Sequence, residues 1–339
     1  MPHEQKRRAT PHLIPVLVLI VLAPAIAEIL LGDLLLNASF VPTLLMYLLL
    51  YGSGAALIRE GVRRLHLGWP SIVVLALAYG VVEEGLILQT LFNPRFPGLA
   101  TIAAYGRALG VSWFWLIGVL AMHAVWSITL PILLTERLFP SLADRPWLSR
   151  LGLGLDGIIY GLTGLVMSHF FTGFTRFSAP PITLLLTALG AVMLVCLALF
   201  AAPRLVAPRS KSVPAPFWVG AIVLLAGVLF FGAQQFFPRV PTIPALLPIL
   251  LYGLLYGGVI ILIWRWSATP GWSSQHQLAL AAGALLTYML YGFRLSARGS
   301  LVDLIFHSVV CAATTGLLIW TFSRNSHAPS VSPSISQGA

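Results

Sequence analysis

The sequence predicts an all-α polytopic membrane protein, and three observations carry that reading. Of the 339 residues, 58% are hydrophobic and 9% charged, whereas a soluble domain carries about 25% charged residues. Apolar runs long enough to cross a bilayer follow one another almost without pause. Pro and Gly mark the joints, at Gly68-Trp69-Pro70, Pro94 to Gly98, Pro180-Pro181, Pro238 to Pro244 and Pro270-Gly271. Inside lipid a run of this kind satisfies its own backbone only as a helix.

Ten spans are expected, at 11–33, 38–59, 70–93, 113–136, 154–177, 180–203, 216–236, 244–265, 276–293 and 301–322. Lys6-Arg7-Arg8 ahead of an apolar stretch ending near Ala23-Pro24-Ala25 has the outline of a signal peptide. Because further spans follow at once, it reads as a retained first helix behind a basic N-terminus, 1–10. The segment 94–112 is weakly apolar and reads as a surface helix or re-entrant piece. Residues 204–215 read as a linker, and the Ser- and Pro-rich tail 323–339 as disordered.

An even number of spans puts both termini on one side. With that side cytoplasmic, inner segments hold fourteen of the 20 Lys and Arg, among them Arg59, Arg63, Arg64, Arg137 and Arg145. Outer segments hold the other six, Arg95, Arg107, Arg176, Arg239, Arg294 and Arg298. This follows the positive-inside rule and predicts a multi-pass protein of the cell membrane with both termini cytoplasmic. The net charge of +10 is thereby explained by loop topology. Without a basic face and interleaved aromatics it does not point to nucleic acid, and the lipid bilayer is the expected partner. Cys196 and Cys311 lie inside spans, which argues against a disulfide framework.

An internal repeat is visible. Trp69-Pro70-Ser71 with Leu75 to Gly80 resembles Trp272-Ser273-Ser274 with Leu278 to Gly283. Leu50-Tyr51-Gly52 with Arg59 resembles Leu255-Tyr256-Gly257 with Arg265, and His123 has a counterpart in His307. The expected plan is a four-span half, 11–137, a two-span insert, 138–203, and a second four-span half, 216–322. Matching spans run the same way, so the halves would be related by an axis along the membrane normal. Glu83 and Glu84 align with Leu286 and Thr287, so only the first copy holds the acidic pair.

Those two glutamates are the costliest feature of the chain. An ionisable residue at the bilayer centre costs roughly 2.5–3.5 kcal/mol on insertion scales. Adjacent residues lie about 100° apart on a helix, so Glu83 and Glu84 are not expected to face one partner squarely. Two carboxylates this close in low dielectric do not both stay ionised unless they meet a cation. Gly80 shares a face with Glu84 and would let another helix approach.

His123, with Trp126 and Ser127 on its face, and His169, with Thr172 and Gly173, are candidate partners; His307 has Asp303 one turn before it. At 1.5 Å per residue, Glu84, His123, His169 and His307 lie roughly 8–16 Å below the outer helix ends. Glu28 lies near the top of that layer. Imidazole with carboxylates suits zinc, which activates water near neutral pH.

Paired glutamates in one span, followed by single histidines in later spans, resemble the CAAX-protease and bacteriocin-processing intramembrane metalloproteases. That family opens its motif with Glu-Glu-x-x-x-Arg and completes the catalytic site with two later histidines. The resemblance implies Glu83, Glu84, His123 and His169 as catalytic residues, with Glu84, His123 and His169 as metal ligands. It spans about residues 79–173 and departs from the family at Leu88, where the arginine belongs, and at Val119 and Leu165, four before the histidines.

Three functions fit these residues. One is an intramembrane metal-dependent hydrolase, peptidase-like, acting on a membrane-embedded peptide or small molecule. The second is a proton-coupled secondary transporter built from duplicated halves. The third is a structural or accessory protein whose polar residues join helices.

Overall fold

The computed structural model describes residues 12–326, and within them the chain is helical almost throughout. The cluster Lys6-Arg7-Arg8 and most of the expected tail lie outside these residues; helix continues through 323–326. The helices, numbered in chain order, are α1 Leu13–Ile29, α2 Phe40–Arg64, α3 Trp69–Ile87, the short α4 Ala100–Ala104 and α5 Trp113–Leu138. Then follow α6 Arg150–Thr175, α7 Pro181–Arg204, α8 Pro216–Arg239, α9 Leu246–Ser267, α10 Ser274–Ser296 and α11 Leu301–Asn325. Nine of these are long and apolar enough to cross a membrane among the described residues, and α1 is a shorter apolar helix. The protein is an all-α polytopic membrane protein, and each helix except α4 falls on one expected span.

Three helices form the interior. Within their apolar windows α3 is 56% buried and α5 and α10 are each 61% buried, against 11% for α7 and α9. The outer helices turn Leu, Ile, Val and Phe outward, as a bilayer solvent demands. One apolar cluster joins α5, α8 and α10 around Trp126, Phe230 and Tyr288; a second joins α1, α2 and α3 around Leu19, Tyr51 and Ile72. Trp126 stacks flat on Tyr288, with ring centroids 4.7 Å apart, and donates to the Ala284 carbonyl at 2.8 Å.

Helices α8 and α10 touch backbone to backbone. A Cβ added at Gly283 would lie 2.3 Å from the Gly220 carbonyl oxygen, and one at Gly220 would lie 2.8 Å from that of Ala279. Small residues let membrane helices approach this closely. Since the obstructing atoms are backbone, Gly283→Val is expected to separate the pair, at the upper end of the roughly 1–3 kcal/mol that overpacking costs. Reversible detergent unfolding measures it, and an unshifted midpoint refutes the close contact.

Both ends of the described chain lie on one face of the bundle. His12 N–H donates to the Trp147 carbonyl at 2.9 Å, and the Asn325 amide reaches the Arg137 carbonyl at 3.4 Å. We call this the terminal face. The opposite face carries the segment 94–112, which contains α4 and a two-residue hairpin, β1 Arg107–Ala108 against β2 Val111–Ser112. Its turn residues, Leu109 and Gly110, both have positive φ, 52° and 79°, the conformation that two-residue hairpins require. Tyr105 ties this cap to the α8–α9 loop through the Ile243 carbonyl at 2.9 Å.

Candidate functional site

Glu83 and Glu84 sit near the end of α3 away from the terminal face and meet His123 of α5. His123 Nε2 lies 2.9 Å from Glu84 Oε1, and Nδ1 lies 3.3 Å from Glu83 Oε2. All three side chains are buried, Glu83 completely. The expectation that the two carboxylates are splayed too far apart for one partner is corrected here. The imidazole turns one nitrogen to each carboxylate, so adjacent residues serve a single ring from two sides. One ligand atom from each residue falls within 4.8 Å of the others, the geometry of a potential metal site.

Local helix geometry supports the arrangement. Five π-helical segments interrupt the α-helices among the described residues, and four of them carry residues of this site. Glu28 lies in Ala25–Ile29 of α1 and Tyr51 in Leu48–Gly52 of α2. Glu83 and Glu84 lie in Val82–Ile87 of α3, and His123 and Ser127 in His123–Thr129 of α5. A π segment re-aims side chains by widening one turn and is frequent at functional sites. Gly80 brings α5 close, as its place one turn before Glu84 predicts. A Cβ there would lie 3.0 Å from Leu120 Cδ2 and 3.2 Å from His123 Cβ.

Two of the three residues have outer partners. Ser127 Oγ lies 3.2 Å from His123 Nδ1. The Thr90 hydroxyl donates to Glu84 Oε2 and itself accepts from Trp115 Nε1 at 3.0 Å. Thr90 reaches back because Gln89 adopts a left-handed conformation, φ 57°, just past the helix end. Glu83 differs: both its oxygens are buried without a hydrogen-bond partner among the described residues. Around them, Tyr51 stacks on the His123 ring at 6.0 Å and Tyr79 tilts against it at 5.9 Å. Tyr51 donates to Glu28 Oε1 at 2.7 Å. Glu28 is half-buried.

The other histidines do not join. His169 is exposed on α6, while its neighbour Ser168 faces α3 and contacts the Leu86 carbonyl at 3.4 Å. The place expected for His169 beside Glu84 and His123 is taken by Glu83; successive helix residues turn by about 100°, so of Ser168 and His169 only Ser168 faces inward. His307 is buried in a separate place, with Nε2 3.0 Å from the Met289 carbonyl and Phe293 packed edge-on. Asp303 begins α11, where it accepts from Ser300 N at 2.6 Å and Leu36 N at 2.7 Å; it does not orient His307. Thr287, set against Glu84 in the expected repeat, packs by Gly227 and donates to the Gly283 carbonyl at 3.0 Å.

Sequence reasoning missed Tyr51 and Thr90, since neither is costly in a membrane helix. It also missed a buried ionic network at the terminal face. Glu136 of α5 accepts from Arg59 at 3.2 Å and from Arg63 at 2.7 and 2.6 Å. Glu60 accepts from Arg59 at 2.8 Å and from the backbone of Trp147 and Leu148 at 2.7 and 3.1 Å.

The fold and this buried Glu–His group define an integral membrane protein with a polar centre between α3 and α5. Residues 17–331 match an uncharacterized membrane protein family, and the chain belongs to it. No curated protein and no solved structure matches the chain.

Proposed function

We propose that the protein is an intramembrane metal-dependent hydrolase whose centre is Glu83, Glu84 and His123, with zinc as the fitting metal. The observation that carries this reading is the Glu83 carboxylate, wholly buried and without a hydrogen bond of ordinary geometry among the described residues, with only the looser His123 Nδ1 contact at 3.3 Å and the Tyr51 and Tyr79 hydroxyls nearby, beside a second carboxylate. An unpaired buried carboxylate is costly, and a divalent cation shared with Glu84 and His123 removes that cost. Thr90 and Ser127 steady Glu84 and His123 as outer partners steady metal ligands. A divalent cation supplies Lewis acidity and makes water nucleophilic near neutral pH. Glu83 offers one oxygen as a ligand and the other as acceptor of the proton that water gives up. Tyr51 and Tyr79 wall the imidazole off from lipid. The substrate is then a membrane-embedded peptide or small molecule, and the positive-inside count favours a cytoplasmic terminal face.

Metal analysis of the purified protein tests the proposal. About one zinc per chain is expected, lost in Glu84→Gln and in His123→Ala. Thr90→Val removes only an outer partner and is expected to weaken zinc binding by roughly 10–100-fold. A protein that binds no divalent metal sinks the reading. One observation favours a second function: His123 touches a carboxylate through each ring nitrogen, an arrangement that also suits a proton carrier. Proton-coupled uptake abolished by Glu84→Gln, in metal-free protein, decides for that carrier.

A further inference from the structure

Three buried polar groups without a hydrogen bond of ordinary geometry among the described residues line one seam of the bundle, formed by α2, α3 and α6. They are Asp156 Oδ2 on α6, the Tyr79 hydroxyl on α3 and the Glu83 carboxylate. Their residues are 7%, 4% and 0% exposed. Asp156 faces Ser53 of α2. One turn further along α6, the Tyr160 ring meets that of Tyr79 with centroids 6.0 Å apart. One turn beyond Tyr79 along α3 stands Glu83.

The levels agree. Both α6 and α3 start at the terminal face. At 1.5 Å per residue, Asp156 lies about 9 Å into α6, Tyr160 and Tyr79 each about 15 Å into their helices, and Glu83 about 21 Å. The two tyrosines pack where Gly54 of α2 presents no side chain. A Cβ there would lie 2.4 Å from Tyr79 Cε2 and 3.4 Å from Tyr160 Cε2.

We propose that this seam is a file of bound water that connects the terminal face to the Glu83–Glu84–His123 centre. Buried polar groups in native proteins are hydrogen-bonded, to protein or to ordered water. In a membrane the cost of leaving three of them bare within two helical turns of each other is several times that of one. Water needs polar partners at each position, and the seam supplies a carboxylate, hydroxyls and a second carboxylate in succession. As the source of the water that hydrolysis consumes, the file rests on the hydrolytic reading. As a hydrated seam it stands without any substrate.

Radiolytic hydroxyl labelling in 18O-water, on the full chain in lipid nanodiscs, reads bound water at individual side chains. Tyr252 and Tyr288, each 1% exposed, are internal controls away from the seam. Tyr79 is expected to label several-fold faster than both, despite comparable burial. Asp156→Leu is expected to bring Tyr79 down to the control rate, and Gly54→Leu to do the same where that variant folds. The proposal is overturned if Tyr79 labels no faster than Tyr252 and Tyr288. It is also overturned if fast labelling persists in Asp156→Leu, since water then arrives by another route, such as past Glu28. Zinc content measured on the same preparations reports separately on hydrolysis. Fast Tyr79 labelling in a protein that binds no metal keeps the seam and rejects the hydrolase; slow labelling in a zinc-loaded protein does the reverse.

Discussion

Glu136→Leu is expected to destabilise the protein by about 3–5 kcal/mol, the cost of removing one partner from a buried ion pair. The carboxylate accepts from Nε and Nη2 of Arg63, at 2.7 and 2.6 Å, and from the Nε of Arg59 at 3.2 Å. Arg59 has no access to solvent. Its remaining N–H groups donate to Glu60 and to the carbonyls of Leu142, Ala143 and Arg145, and its guanidinium lies 3.4 Å over the Trp147 ring. Losing Glu136 therefore leaves two guanidinium groups short of a counter-charge and loosens the α5–α6 loop that they hold. Arg64→Ala is the contrast. Its side chain is 23% exposed and lies 3.3 Å from Glu60, so less than about 1 kcal/mol is expected from the lost ion pair. Reversible unfolding in mixed detergent measures both. A Glu136→Leu variant as mild as Arg64→Ala would mean that the network contributes nothing to holding the loop.

The sequence shows Arg59 and Arg63, yet it presents them as topology. Arg59 and Arg63 enter the positive-inside count, and both stand at the terminal face. That they also converge on Glu136 depends on how α2 and α5 rotate against each other, which no composition records. The spans were legible for the opposite reason: lipid imposes one solution on every apolar run, whatever its neighbours. Glu83, Glu84 and His123 were legible because polarity is expensive at that depth. His169 was misread as a ligand because depth follows from counting residues along the axis, while azimuth changes with every residue and is set by packing. Ser168, one position away, is the residue that faces α3. The π segments leave no recognisable mark on the sequence. They bring Glu28, Tyr51, both glutamates and His123 to one place, so the candidate site was legible in its residues and not in its shape.

Glu83→Leu separates a functional carboxylate from interhelical glue by the sign of its effect. In metal-free protein, both Glu83 oxygens are buried without a hydrogen bond of ordinary geometry among the described residues; they have the His123 Nδ1 at 3.3 Å, which Ser127 also reaches, and the Tyr51 and Tyr79 hydroxyls nearby. Exchanging a bare buried polar group for an apolar one of similar volume removes a desolvation penalty of about 1–3 kcal/mol. The metal-free variant is therefore expected to be as stable as the parent or more so, while zinc binding is lost. Glu84→Leu is expected to move the other way. It strands the Thr90 hydroxyl and the His123 Nε2 together, and costs about 1–3 kcal/mol even without metal. Helix-joining residues would make both substitutions destabilising, because each would then remove a contact that holds α3 to α5. Unfolding of the two variants in chelator, with zinc titration of each, reads the signs directly. A Glu83→Leu protein that is both less stable and unimpaired in zinc binding would assign the acidic pair to packing.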